Sequence, residues 1–186
     1  KMSKSLGNFF TVREVLKEYR PEVIRYFILS SHYRSPLNYS DESLKDAVSG
    51  LTRLYTALRD VEIIQSDIEV EYKQRFEQAM NDDFNTPVAL SVLFDLAREL
   101  NKTKSPALAT TLKYLASFLG LLQENADNFL QGETDDNAAI ETQIQARIDA
   151  KLAKNWALAD QIRDELKAQN IILEDSPDGS TRWRRE

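Results

Sequence analysis

The sequence predicts a mainly α protein: a loop with a short helical segment, an antiparallel helical bundle, and a small C-terminal α+β module ending in a β-hairpin. Three observations carry that prediction. Apolar residues recur at helical spacing through most of the 186 residues, a polar and acidic stretch breaks the pattern at 124–138, and the period falls to two only after Asn170. With 42% hydrophobic and 29% charged residues the composition is globular, unlike a collagen or a coiled-coil rod. No run approaches the roughly 18 apolar residues of a membrane span, and no signal peptide opens the chain. A cytoplasmic protein without a membrane partner is expected. There is no cysteine and one histidine, His32, so neither a disulfide nor a metal centre is expected among these residues.

Each element has its own signal. Val12, Val15, Leu16 and Tyr19 stand at i, i+3, i+4 and i+7, and Val23, Ile24, Phe27 and Ile28 renew the stripe after Pro21; two helices are predicted within 1–38. Ser40 precedes Asp41 and Glu42, a capping side chain followed by acid in the first turn. Leu44, Ala47, Val48, Leu51, Leu54, Tyr55 and Leu58 then run down one face. Ile68, Tyr72, Phe76 and Ala79 make a shorter stripe that stops at Asn81-Asp82-Asp83. Thr86-Pro87 and Ser105-Pro106 each pair a capping side chain with a proline, whose missing N–H costs nothing at the first helical position. The helices they start carry Leu90, Leu93, Phe94, Ala97 and Leu100, and Leu108, Leu112, Leu115 and Leu119. Four helices over 39–123 predict a bundle.

Residues 124–138 read as a solvated linker, and 139–186 as a separate module. Ile140, Ile144 and Ile148 mark one helix there, and Trp156, Ala159, Ile162 and Leu166 a second. Asn170 suits a left-handed helix end. Strands at 171–174 and 181–184 flank a Ser176-Pro177-Asp178-Gly179 turn. The net charge of −6 is unevenly spread: +4 over 1–59, −10 over 60–142 and 0 over 143–186. The acid is concentrated in the middle, so polyanion contact at the two ends stays compatible with the charge.

The chain opens Lys1-Met2-Ser3-Lys4-Ser5-Leu6-Gly7-Asn8. Two lysines among small hydroxylated residues, with a glycine behind them, suit a cationic loop that closes over phosphates. Its ammonium groups would neutralise charge growing on a departing pyrophosphate. The plain alternative is a frayed basic terminus. A specified five-residue word arises by chance at roughly one position in three million, and Lys1-Met2-Ser3-Lys4-Ser5 is the signature loop of class I aminoacyl-tRNA synthetases, which this chain therefore resembles. The run Ser31-His32-Tyr33-Arg34-Ser35-Pro36-Leu37-Asn38-Tyr39-Ser40 and the tail Leu173-Glu174-Asp175 with Trp183-Arg184 extend the resemblance over essentially the whole chain, to the cysteinyl family in particular.

The resemblance implies a KMSKS loop and stem-contact segment at 1–38, a DALR-type bundle at 39–123 and an anticodon-binding module at 139–186. It implies that Lys4, supported by Lys1, acts in catalysis, with Met2, Ser3 and Ser5 completing the ATP contact. The implied reaction forms cysteinyl-adenylate from ATP (with Mg2+) and cysteine, then transfers cysteine to tRNA(Cys). The nucleotide-binding fold and the Zn2+ ligands would lie before Lys1, so these residues alone are expected to be inactive. The family implies a monomer.

Where the bundle signature would read Asp-Ala-Leu-Arg, this chain has Glu22-Val23-Ile24-Arg25, and a tail position often arginine, which the resemblance places among the anticodon-binding residues, is Lys151; lysine offers a point charge rather than a bidentate fork. Trp156 is by spacing an apolar anchor and by resemblance a stacking platform for an anticodon base, with Asp160 one turn on. Asp175 either reads a base edge or starts the turn. Arg34 is the expected tRNA backbone contact, and His32 the cap or packing partner of the preceding helix. Asp82-Asp83 is expected to end a helix rather than hold magnesium. Two other readings remain: a non-catalytic tRNA-binding module, and a helical protein-interaction domain, which predicts no salt-dependent RNA affinity.

Overall fold

The computed structural model describes residues 11–59, 61–132, 136–176 and 179–185. The chain forms two compact units, Lys1–Gln123 and Glu124–Glu186, mainly helical in both. No described helix is long and apolar enough to cross a membrane.

The first unit opens with α1 (Val12–Val15), closed by a reciprocal capping box between Thr11 and Glu14. The stripe through Tyr19 predicted a longer helix. It stops early because none of α1 is buried, and because Arg20, ahead of Pro21, is extended at φ −62°, ψ 148°, as a residue before proline tends to be. Next come α2 (Pro21–Leu29), α3 (Asp41–Leu58), α4 (Val70–Asn81), α5 (Thr86–Thr103) and α6 (Pro106–Phe118). Ser40 and Ser105 cap α3 and α6 as expected, accepting from the Ser43 and Leu108 N–H groups. At α5 the cap is Asn85, not Thr86. Asp83 and Phe84 are both left-handed, at φ 53° and 52°, and this turn brings the Asn85 side chain, one residue earlier, to the free Val88 N–H. Leu44, Leu51, Leu54, Tyr55, Leu93, Leu96, Leu100, Leu112 and Leu115 are fully buried and form the bundle core.

Helix α2 packs against α3 of this bundle. Buried Glu22 accepts from the Tyr55 hydroxyl at 2.8 Å and from the Leu122 N–H at 2.6 Å. Arg25 Nη1 donates to the Gly120 carbonyl at 2.7 Å. The acid and the arginine of the expected signature thus both hold the turn that follows α6. On α2's other contact, Tyr26 lies against α3 at Gly50, where a β-carbon would stand 2.5 Å from the phenol oxygen. Gly50→Val is therefore expected to destabilise this unit by at least about 2 kcal/mol, since overpacking outweighs the gain in helix propensity. A urea titration followed by circular dichroism measures it, and an unchanged midpoint would contradict this packing.

The second unit corrects one expectation. Within 124–138, read as a solvated linker, α7 (Ala126–Gln131) is helical, with Phe129 and Leu130 buried. It packs on β2 (Thr181–Arg185), and Arg185 Nε donates to the Gln131 carbonyl at 2.7 Å. After it come α8 (Asn137–Leu152), α9 (Trp156–Ala168) and β1 (Ile171–Asp175). Asn170 takes the left-handed conformation, φ 61°, and turns the chain from α9 into β1. The strands β1 and β2 pair antiparallel with Leu173 opposite Trp183. The core joins Ile140, Ile144, Ile162, Leu166, Ile171 and Trp183; the Trp183 indole N–H donates to Glu141 at 2.6 Å.

Candidate nucleic-acid interface

The opening loop, Lys1, Met2, Ser3, Lys4 and Ser5, lies outside the described residues. The candidate residues of the tail are described. Trp156 is the first residue of α9 and is 60% exposed, so it is not the anchor its spacing suggested. The buried face of α9 is Ala159, Ile162 and Leu166, and the apolar anchor of this unit is Trp183. Leu152, at the end of α8, is 78% exposed. Between them Lys154 is left-handed, φ 58°, and Asn155 caps α9 through the Leu158 N–H at 3.2 Å. The α8–α9 turn therefore presents an indole and a leucine to solvent, an arrangement suited to stacking with a planar base. Asp160 is exposed and paired with Arg163 at 3.0 Å.

Asp175 and Lys151 are brought together. Lys151 Nζ donates to Asp175 Oδ2 at 2.8 Å. Arg147 grips the same carboxylate with both terminal nitrogens, at 2.8 and 2.9 Å, and the Thr181 hydroxyl donates to Oδ1 at 2.7 Å. Four donors fill the roughly four acceptor sites of a carboxylate. Asp175 ends β1 opposite Thr181, where the turn starts, and from there it is a clasp between α8 and the hairpin. Arg147 is the residue sequence reasoning missed. Its signal was an arginine three residues after Ile144, within the Ile140, Ile144, Ile148 stripe.

The bond from Arg147, with lesser help from Lys151 and Thr181 and against the effect of burial, holds the Asp175 carboxyl far below the usual carboxylate range. Arg147 is raised in turn, chiefly by the same bond. A depressed folded-state pKa stabilises fully above the unfolded value of about 3.9 and is lost as pH falls below it. The second unit should therefore keep this contribution from pH 7 to about 5 and lose it progressively below about 4. Thermal melts across that range should show a shallower acid-side loss in Asp175→Asn than in the parent chain; equal slopes would contradict the clasp.

In the first unit, His32, Tyr33 and Arg34 converge on Asp83 in the α4–α5 turn. Tyr33 donates to Asp83 Oδ1 at 2.7 Å, Arg34 Nε lies 3.1 Å from Oδ2, and His32 Nε2 is 3.2 Å from the Asp83 carbonyl oxygen. The bond to Asp83 raises the Tyr33 pKa. His32 thus docks its loop onto another turn instead of capping the helix before it, and Arg34 leaves its guanidinium largely in solvent. Asp82 ends α4, as expected. Among the described residues no three His, Cys, Asp or Glu side chains gather as a metal site would need.

Comparison with known proteins decides the affiliation. Residues 1–49 match the model of the class I (C) tRNA synthetase catalytic domain, and residues 75–123 match the DALR domain. Over 100% of its length the chain is 57% identical to a cysteine–tRNA ligase of Methylococcus capsulatus, covering 43% of that protein. It is likewise 58% identical to one of Thioalkalivibrio sulfidiphilus and 56% to one of Legionella pneumophila (strain Corby), covering 42% and 41% of them. The chain belongs to the cysteine–tRNA ligase family. It spans about two fifths of the length of the relatives it matches. Within the family pattern, Glu22 and Arg25 fall in the part matching the catalytic domain, while the DALR match begins in α4. The expected signature therefore precedes the matched DALR residues and binds them from outside, through the turn at 120–122.

Proposed function

We propose that this chain supplies the KMSKS loop, the tRNA-holding bundle and the anticodon reader of an enzyme that joins cysteine to tRNA(Cys) through cysteinyl-adenylate. The observation that carries the reading is identity of 56–58% to cysteine–tRNA ligases along the whole chain, tail included. In this reading Lys4 and Lys1 stabilise the pyrophosphate that leaves ATP, with Met2, Ser3 and Ser5 shaping the loop and Mg2+ accompanying the nucleotide. Zinc does not fit this chain, which has no cysteine and one histidine; its ligands would come from elsewhere in the enzyme. The enzyme works in the cytoplasm as a monomer.

Trp156 stacks on an anticodon base, Asp160 accepts from a base edge, and Lys151 meets a neighbouring phosphate. Asp175, with its acceptor positions filled from its own chain, holds Lys151. Arg34, anchored by Asp83, contacts the tRNA backbone. Binding of the chain to tRNA(Cys) and to a tRNA for another amino acid, at matched ionic strength, tests the reading. Preference for tRNA(Cys) is expected; equal affinity for both would leave only sequence-independent phosphate contact.

A further inference from the structure

The second unit carries eight Lys/Arg against fourteen Asp/Glu, a balance of −6. A surface that takes up RNA must be locally positive in spite of that. Arg163 supplies no surplus, because it lies between Asp160 at 3.0 Å and Asp164 at 3.2 Å. The cluster of Arg147, Lys151 and Asp175 does: two cations against one anion leave one positive charge, and Asp160, which also acts on Arg147, is itself paired with Arg163. The two cations stand at i and i+4 on α8 and meet the same carboxylate from opposite environments. The Arg147 side chain is 7% exposed and that of Lys151 34%. The Arg147 contact is bidentate and its cation is the less exposed, so it is the stronger of the two. The Lys151 contact is a single exposed one that a phosphate oxygen can replace.

We propose that Arg147 is a positioning residue for polyanion binding: from the buried side it neutralises Asp175, so that Lys151 keeps a net positive charge for an RNA phosphate. This rests on the RNA-binding reading above. Without Arg147 the carboxylate would have Lys151 as its one cationic partner, beside the Thr181 hydroxyl, and the pair would be neutral. Arg147 itself is too deeply buried to touch RNA, so its effect on binding passes wholly through Asp175 and Lys151.

The test is the salt dependence of the whole chain's affinity for tRNA(Cys), with folding of every variant followed by thermal melting. Each phosphate neutralised contributes about 0.7 to 0.9 to the slope of log K against log salt. Arg147→Met is expected to lower the slope by about that amount, and Arg147→Lys, which keeps the charge, to leave it in place. Asp175→Asn is expected to bind RNA at least as tightly as the parent chain at low salt, with its slope no smaller. A folded Arg147→Met variant with an unchanged slope overturns the proposal, as does an Arg147→Lys slope as low as that of Arg147→Met. Should Arg147→Met fail to fold, Asp175→Asn decides, and a weaker, flatter binding curve for it overturns the proposal. A parent chain that binds tRNA without salt dependence, or not at all, removes the RNA reading and this inference together. A normal parent slope with unresponsive variants removes the inference alone.

Discussion

Replacing Glu22 with alanine is expected to destabilise the first unit by about 3 kcal/mol, lowering its melting temperature by roughly 10 °C. The carboxylate is buried and takes two hydrogen bonds from groups that are themselves buried, the Tyr55 hydroxyl and the Leu122 N–H. Removing it strands both donors, each at a cost of about 1–3 kcal/mol, and leaves a cavity as well. Glu22→Gln discriminates further. Its amide has one accepting oxygen, so one of the two donors would face an NH2 group, and the loss should be smaller but still measurable. Gly120 completes the same clasp. It is left-handed at φ 66°, with Arg25 Nη1 2.6 Å from where a β-carbon would stand, so a side chain there strains the backbone and displaces the arginine. A Glu22→Ala variant that melts with the parent chain would show that this clasp contributes nothing.

Trp156→Ala is expected to weaken binding to tRNA(Cys) by about tenfold to a hundredfold, the range that base–aromatic stacking supplies. Stability should stay within about 0.5 kcal/mol, because the indole is mostly in solvent. The contrast with Trp183 makes this specific. Trp183 is fully buried in the core of the second unit, and Trp183→Ala should cost about 3–5 kcal/mol. Equal effects of the two substitutions on folding would contradict the division of roles between them. Asp160 and Lys151 are expected to give smaller losses than Trp156, because each is tied to a partner of its own chain before RNA arrives.

How much of this was legible in the sequence depends on how far each residue's partners lie along the chain. The bundle helices were, because their apolar stripes repeat over several turns and report burial directly. The hairpin was too, from the change of period after Asn170. Helix α7 was not: Phe129 and Leu130 are adjacent rather than i, i+3 neighbours, so they set no period, and the strand that buries them lies about fifty residues further on. The cap at Asn85 was missed because it depends on two successive left-handed residues, Asp83 and Phe84, a conformation that phenylalanine rarely signals. In the candidate site, spacing alone gave Trp156 the wrong environment. A stripe of Trp156, Ala159, Ile162 and Leu166 says that one face is apolar, not that its first turn is covered. Arg147 is the instructive omission, since an arginine inside an isoleucine stripe announces a carboxylate partner elsewhere in the chain, and Asp175 stands 28 positions on.

The most direct test of the account compares this chain's affinity for tRNA(Cys) with its affinity for the same tRNA carrying a substituted anticodon, for the parent and for Trp156→Ala. The account predicts that the parent loses at least about tenfold on anticodon substitution and that Trp156→Ala loses little more. Equal affinity of the parent for both tRNAs would contradict anticodon reading by the α8–α9 turn.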